Sequence, residues 1–171
     1  ADPEHPLGHM RQNKLIYLAH RKADEDVSER FLKKAAGPYS PWATYQGPEG
    51  IAQRNGYVKR SKVGNLVGFV VGNNIAQIDR YISRYPICAA VEWVASHFRY
   101  RKKEELELLA TVDFAALDLI QQRRPVTAEN VKHVIATNKD WAAKLKREIF
   151  SDGKILQALE ELRTLFPSTY A

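Results

Sequence analysis

Cysteine is almost missing from this 171-residue chain: the single Cys88 excludes an internal disulfide and any multi-cysteine zinc site, and it suits a reducing cytosol. No apolar run approaches the roughly 20 residues needed to cross a bilayer, so a membrane-spanning reading fails. No glycine run ends in Gly-Lys-Ser or Gly-Lys-Thr, the pattern that cradles a phosphate. Gly64, Gly68 and Gly72 instead punctuate a presumed hairpin, where glycine bends strands. His20, His97 and His133 lie far apart without paired acids, so no metal site is expected. Cys88 sits between Ile87 and Ala89 with no helically spaced histidine, the setting of a small apolar thiol rather than a nucleophile. A restriction-type nuclease core would need acids and a lysine on adjacent strands, whereas the one visible hairpin is basic. The expectation is a cytoplasmic protein that is not an enzyme and carries no cofactor.

What is present is positive charge. The net charge of +6 favours contact with phosphates or with an acidic protein face, without choosing between them. Residues 1–10 lack hydrophobic periodicity, hold two prolines and end in Gly8-His9-Met10, which reads as an expression-tag remnant. They are set aside, His5 and His9 included.

From Arg11 a helical pattern carries Leu15, Ile16, Leu18 and Ala19 on its apolar side. Ser28 is placed to cap a second short helix with Phe31 and Leu32 inward and Lys33 and Lys34 at its end. Gly37-Pro38 and Ser40-Pro41 mark a fixed turn pinned by Tyr39 and Trp42. A third helix is predicted from Pro48 to Asn55, then two β-runs, 57–61 and 66–71, joined at Gly64-Asn65. Three helices followed by a basic hairpin is the order of a winged helix. Helices follow around Ile75 to Ile82 and Ala89 to His97, the latter offering Val91, Trp93 and Val94 for burial.

The clearest signal is a long helix from Glu104 to Gln122. Leu106, Leu109, Ala110, Ala116, Leu117 and Ile120 share its inner side, and Glu107, Thr111, Asp118 and Gln122 its outer side. Asp113 falls within the apolar stripe, where an unpaired charge costs several kcal/mol. It needs a hydrogen bond from a Trp, a Tyr or a helix N-terminus, or an arginine such as Arg80 or Arg84. Thr127 caps the next helix, which buries Val131, Val134 and Ile135. A stretch with Trp141, Leu145, Ile149 and Phe150 precedes a final helix turning Ile155, Leu156, Leu159 and Leu162 inward.

Two basic clusters are candidate nucleic-acid contacts. Arg54, Lys59, Arg60 and Lys62 belong to the hairpin and the helix before it, from which Gln46, Gln53, Arg54 and Asn55 would read bases. Arg99, Arg101, Lys102 and Lys103 lie between helices and alternate with Phe98 and Tyr100. Each cluster has a plainer reading: lysines guarding a hairpin edge, and a linker with its aromatics packed inward.

Several stretches resemble one known module together. They are Ala36-Gly37-Pro38-Tyr39, residues 105–112 with Ala115, Asp118 and Leu119, Pro125-Val126-Thr127 with Val131, and Phe150-Ser151-Asp152 with Ile155, Ala158, Leu159 and Leu162. This is similar to a helical, winged-helix-like C-terminal module of bacterial restriction–modification proteins, including specificity subunits and related fusions. The resemblance spans most of residues 11–166, rests on core and turn residues, and transfers no active site. It implies an accessory domain for binding double-stranded DNA or for assembling the protein subunits of a restriction or phage-defence complex. A protein–protein adaptor and a toxin–antitoxin or phage-defence regulator are the alternatives, and self-association is left open. The expected fold is mostly α with a small β-hairpin: a winged-helix-like unit at 11–72, bridging helices at 73–103 and a second winged-helix-like unit at 104–171.

Overall fold

The structure is a computed structural model that describes residues 4–43, 47–82 and 84–170. It is mostly helical with small antiparallel sheets. The chain forms two compact units, Ala1–Leu32 with Ser40–Arg99, and Lys33–Tyr39 with Tyr100–Ala171. These bounds differ from the expected three-part division, because both units draw on segments distant in sequence.

In the first unit, β1 (Leu7–Gly8) leads into α1 (His9–Lys22), and α2 (Pro48–Arg54) leads into the hairpin of β4 (Val58–Val63) and β5 (Leu66–Val71). The sheet order is β1-β5-β4, all antiparallel, with Leu7 opposite Phe69 and Arg60 opposite Phe69 on the other side. Residues 7–10, read as a tag remnant, are therefore built into this unit, and the His9 ring meets Phe69 edge-on at 5.4 Å.

The apolar side of α1 also shifts from expectation. Tyr17, Leu18 and Ala19 are buried, while Leu15 and Ile16 are only half-buried. Asn13 is buried because it stitches the chain: it accepts from the Ser40 N–H at 3.1 Å and donates to the His9 carbonyl at 3.0 Å.

The helix expected after Ser28 does not form. Asp26 accepts from both the N–H (2.8 Å) and the hydroxyl (2.7 Å) of Ser28, a local side-chain turn that competes with helix. Those two bonds hold the Asp26 carboxyl below the usual range. Phe31 still packs inward, edge-on to Tyr17, and the chain becomes β2 (Leu32–Lys34).

After the hairpin come a single 3₁₀ turn at Ile75–Gln77, the short α3 (Asp79–Ile82) and α4 (Cys88–Phe98). Instead of bridging, α4 packs on α1 with Ala90, Val94 and Phe98 buried, and Arg11 of α1 donates to the carbonyls of Phe98 (3.2 Å) and Arg99 at its C-terminal end. Val91, expected inside, faces solvent.

Two glycines fix the hairpin. Gly64 takes φ +57° at the first loop position while Asn65 keeps a negative φ, as in a type II′ turn. A Cβ at Gly72 would lie 2.2 Å from the Gly56 carbonyl oxygen, which is backbone and cannot swing away. Gly72→Ala should therefore lower the urea midpoint by an amount equivalent to about 3 kcal/mol. Gly64→Ala meets nothing within 4 Å and pays only the left-handed backbone, roughly 1–2 kcal/mol. Equal midpoint shifts would show that the Gly72 contact is not restrictive.

In the second unit, β2 and β3 (Gly37–Tyr39) form a two-stranded sheet beside α5 (Lys103–Gln121), with α6 (Ala128–Thr137), α7 (Asp152–Leu165) and α8 (Pro167–Tyr170) completing it. Trp141 is fully buried and its indole N–H donates to the Lys34 carbonyl at 2.9 Å, tying residues 33–39 into this unit. Thr127 caps α6 as expected, its hydroxyl accepting from the Asn130 N–H at 3.2 Å. Ile155, Leu159 and Leu162 of α7 are buried, whereas Leu156 is exposed. Two-sided polarity on α5 is not found. Glu107 and Thr111, expected outside, are buried, and Ile120, expected inside, is exposed. The helix is enclosed on nearly all sides over 106–116.

Candidate nucleic-acid interface

The Asn55-Gly56 step stops α2 and turns the chain straight into β4. Gly56, with φ +70°, bonds its N–H to the Gln53 carbonyl, and the Asn74 amide donates to the Asn55 carbonyl at 2.9 Å. These bonds lock the base of the hairpin to the end of α2, so Arg54 is held close to β4. Arg54, Lys59, Arg60 and Lys62 are all exposed, and none makes an ion pair or side-chain hydrogen bond among the described residues. No acid occurs between Glu49 and Asp79 in the sequence, so nothing local cancels these charges.

Cross-strand partners share a face. Arg60 and Lys62 fall on one face with Val58, Val67 and Phe69, and Lys59 on the other with Ser61 and Val70. Of the expected base readers, Gln53 is half-buried, Arg54 and Asn55 are exposed, and Gln46 lies outside the described residues. The exposed side of α2 runs Pro48, Ile51, Arg54, which leaves one long polar side chain to reach a base edge.

Of the second cluster, Arg99 ends the first unit, while Arg101, Lys102 and Lys103 belong to the other unit and are largely engaged. Arg101 pairs with Glu161, Lys103 lies 3.6 Å from Glu104, and the Lys102 backbone N–H donates to Glu105 at 3.3 Å as α5 begins. Only the Lys102 ammonium has no partner among the described residues. Phe98 is buried, but Tyr100, expected to pack inward, is 86% exposed. The structure thus leaves the hairpin cluster open and ties up most of the other.

Cys88 is half-buried at the start of α4, with Sγ 3.7 Å from a Glu92 oxygen. Burial and then the Glu92 carboxylate push the thiol up, away from the reactive thiolate. Asp113 is fully buried and accepts from the Tyr170 hydroxyl at 2.7 Å, one of the partners its place in the stripe called for.

One charged constellation was not foreseen. Glu107 is buried with the Lys144 ammonium against it and Arg147 at 2.8 Å, and both cations lie over the Phe150 ring. Burial alone would raise the Glu107 carboxyl, but the hydrogen bonds from Arg147 and Lys144 outweigh it and hold the group below the usual range. For Lys144 burial dominates: it drags the ammonium below the usual lysine range, with Glu107 pulling the other way. The one sequence cue is Lys144 itself, set between Trp141 and Leu145 in an apolar stretch.

No protein-family model, curated protein or solved structure matches the chain. Among the described residues, no group of three His, Cys, Asp or Glu side chains gathers to hold a metal, and no helix is long and apolar enough to cross a membrane.

Proposed function

We propose that this chain is a non-catalytic accessory domain that holds double-stranded DNA by its phosphates, in the service of a larger restriction-type or DNA-defence assembly. The observation that carries the reading is the open charge of the β4–β5 hairpin and the end of α2: Arg54, Lys59, Arg60 and Lys62 have no partner among the described residues and lie in a stretch of sequence without acids. Four such exposed cations are available to displace counterions from a duplex. Among the described residues two helices, α1 and α2, precede the hairpin where a winged helix has three, and the sheet order is β1-β5-β4. What is kept of the winged helix is only a basic hairpin that tracks the backbone beside a groove. With only Arg54 projecting as a long polar side chain from α2, recognition rests on phosphates more than on base edges.

Lysine footprinting tests this. A 20-base-pair duplex should protect Lys59 and Lys62 from an amine-acylating reagent and leave Lys132, which is paired with Asp152, unchanged. Undiminished labelling of Lys59 and Lys62 at saturating duplex defeats the reading.

A protein–protein adaptor is the second reading, favoured by exposed aliphatic side chains on α2 and on both faces of the hairpin. Ile51, Val63, Leu66 and Val71 are each more than 40% exposed, and such side chains gain nothing from phosphates.

A further inference from the structure

The outer edge of β4 has no strand beside it among the described residues, whether or not the hairpin holds DNA. The phase of the ladder can be worked out. A two-residue loop makes Val63 and Leu66 the hydrogen-bonded pair that closes the turn. Alternation then makes Ser61–Gly68 and Lys59–Val70 bonded pairs, and the Gly72 N–H donating to the Tyr57 carbonyl at 2.9 Å keeps the same phase. Val58, Arg60 and Lys62 therefore turn their N–H and C=O groups away from β5. Because β4 ends the sheet order, among the described residues these groups meet no strand and none of the three residues has another partner.

We infer that the free edge of β4 accepts an acidic extended segment of a partner protein as an added strand. An open edge of six residues is long enough for such addition, in which main-chain bonds supply affinity and alternate side chains supply choice. The choice here is one of charge. A strand laid against β4 places every second side chain beside Arg60 and Lys62, and among the described residues no acid pairs with either. A second copy of β4 would set Arg and Lys against Arg and Lys, which disfavours self-pairing. An acidic strand meets opposite charges instead. Its intervening side chains fall on the face of Lys59, Ser61 and the exposed Val63, where aliphatic groups fit beside Val63 and the methylene stem of Lys59. The partner pattern is thus acid alternating with aliphatic.

The test uses the full chain and a labelled acetylated heptapeptide amide of alternating Glu and Val, read by fluorescence anisotropy. Lys62→Ala removes one charge. Lys62→Pro removes the same charge and also the outward N–H, at an edge site where proline spares the ladder. Strand addition predicts that the Ala variant binds the peptide a few-fold more weakly than the wild type and the Pro variant at least tenfold more weakly again. The two variants should bind a DNA duplex equally. Equal peptide affinity of the Ala and Pro variants overturns the inference, as does absence of peptide binding by the wild type. Amide hydrogen exchange of the unmodified protein gives an arm free of folding effects: peptide should slow exchange at Val58, Arg60 and Lys62, and unchanged rates there also overturn it. Loss of duplex binding with peptide binding intact would count against the DNA reading alone.

Discussion

Replacing Glu107 by leucine should destabilise the second unit by about 3–5 kcal/mol, the cost of stranding a buried charge. The charge left behind is the Lys144 ammonium, whose side chain is only 3% exposed. Arg147 behaves differently, because its side chain is 40% exposed and can turn outward. Removing both buried members, Glu107→Leu with Lys144→Met, should therefore recover most of the loss, since a matched apolar pair carries no desolvation debt. Urea denaturation followed by circular dichroism reads both variants. If the double variant is as unstable as the single one, the cost lies in packing and not in charge.

The same residue gives a pH signature. Glu107 has a folded-state pKa below its unfolded value, so its contribution is complete above the unfolded value and is lost as pH falls through the folded one. The wild type should weaken on that acid limb, and Glu107→Gln should show a flatter one.

The second large effect concerns the hairpin. Lys59→Glu with Arg60→Glu should cut duplex affinity on the order of 100-fold at roughly 50 mM salt, because each lost phosphate contact removes about 0.9 from the salt slope. Both side chains are exposed and contribute nothing to the core, so circular dichroism and the urea midpoint should stay as in the wild type. The effect should shrink as salt rises. An equal loss at all salt concentrations would mean that the substitutions act on shape and not on charge.

These expectations divide by how local their causes are. The hairpin was legible because Gly64-Asn65 and the β-branched runs around it specify a turn and two strands without outside help. Thr127 was legible as a cap, and Asp113 announced its need for a partner by interrupting an apolar stripe, which Tyr170 answers from 57 residues away. What failed was long-range. The polar face read for α5 assumes solvent on one side, but Glu107 and Thr111 are covered by the rest of the second unit. Nothing in the periodicity of 104–122 shows that Lys144 will come to neutralise Glu107. The helix expected after Ser28 lost to a bond pattern two residues wide at Asp26, and 33–39 went to the second unit because Trp141 holds the Lys34 carbonyl. Of the candidate contacts, spacing alone could not separate the open Lys59, Arg60 and Lys62 from Arg101, since only the fold supplies Glu161.

The most direct measurement is the dependence of duplex affinity on salt. Four hairpin contacts predict a log–log slope of about −3.6 for the wild type and about −1.8 for Lys59→Ala with Arg60→Ala. A wild-type slope near zero, or one that the double substitution leaves unchanged, would contradict phosphate binding by this hairpin.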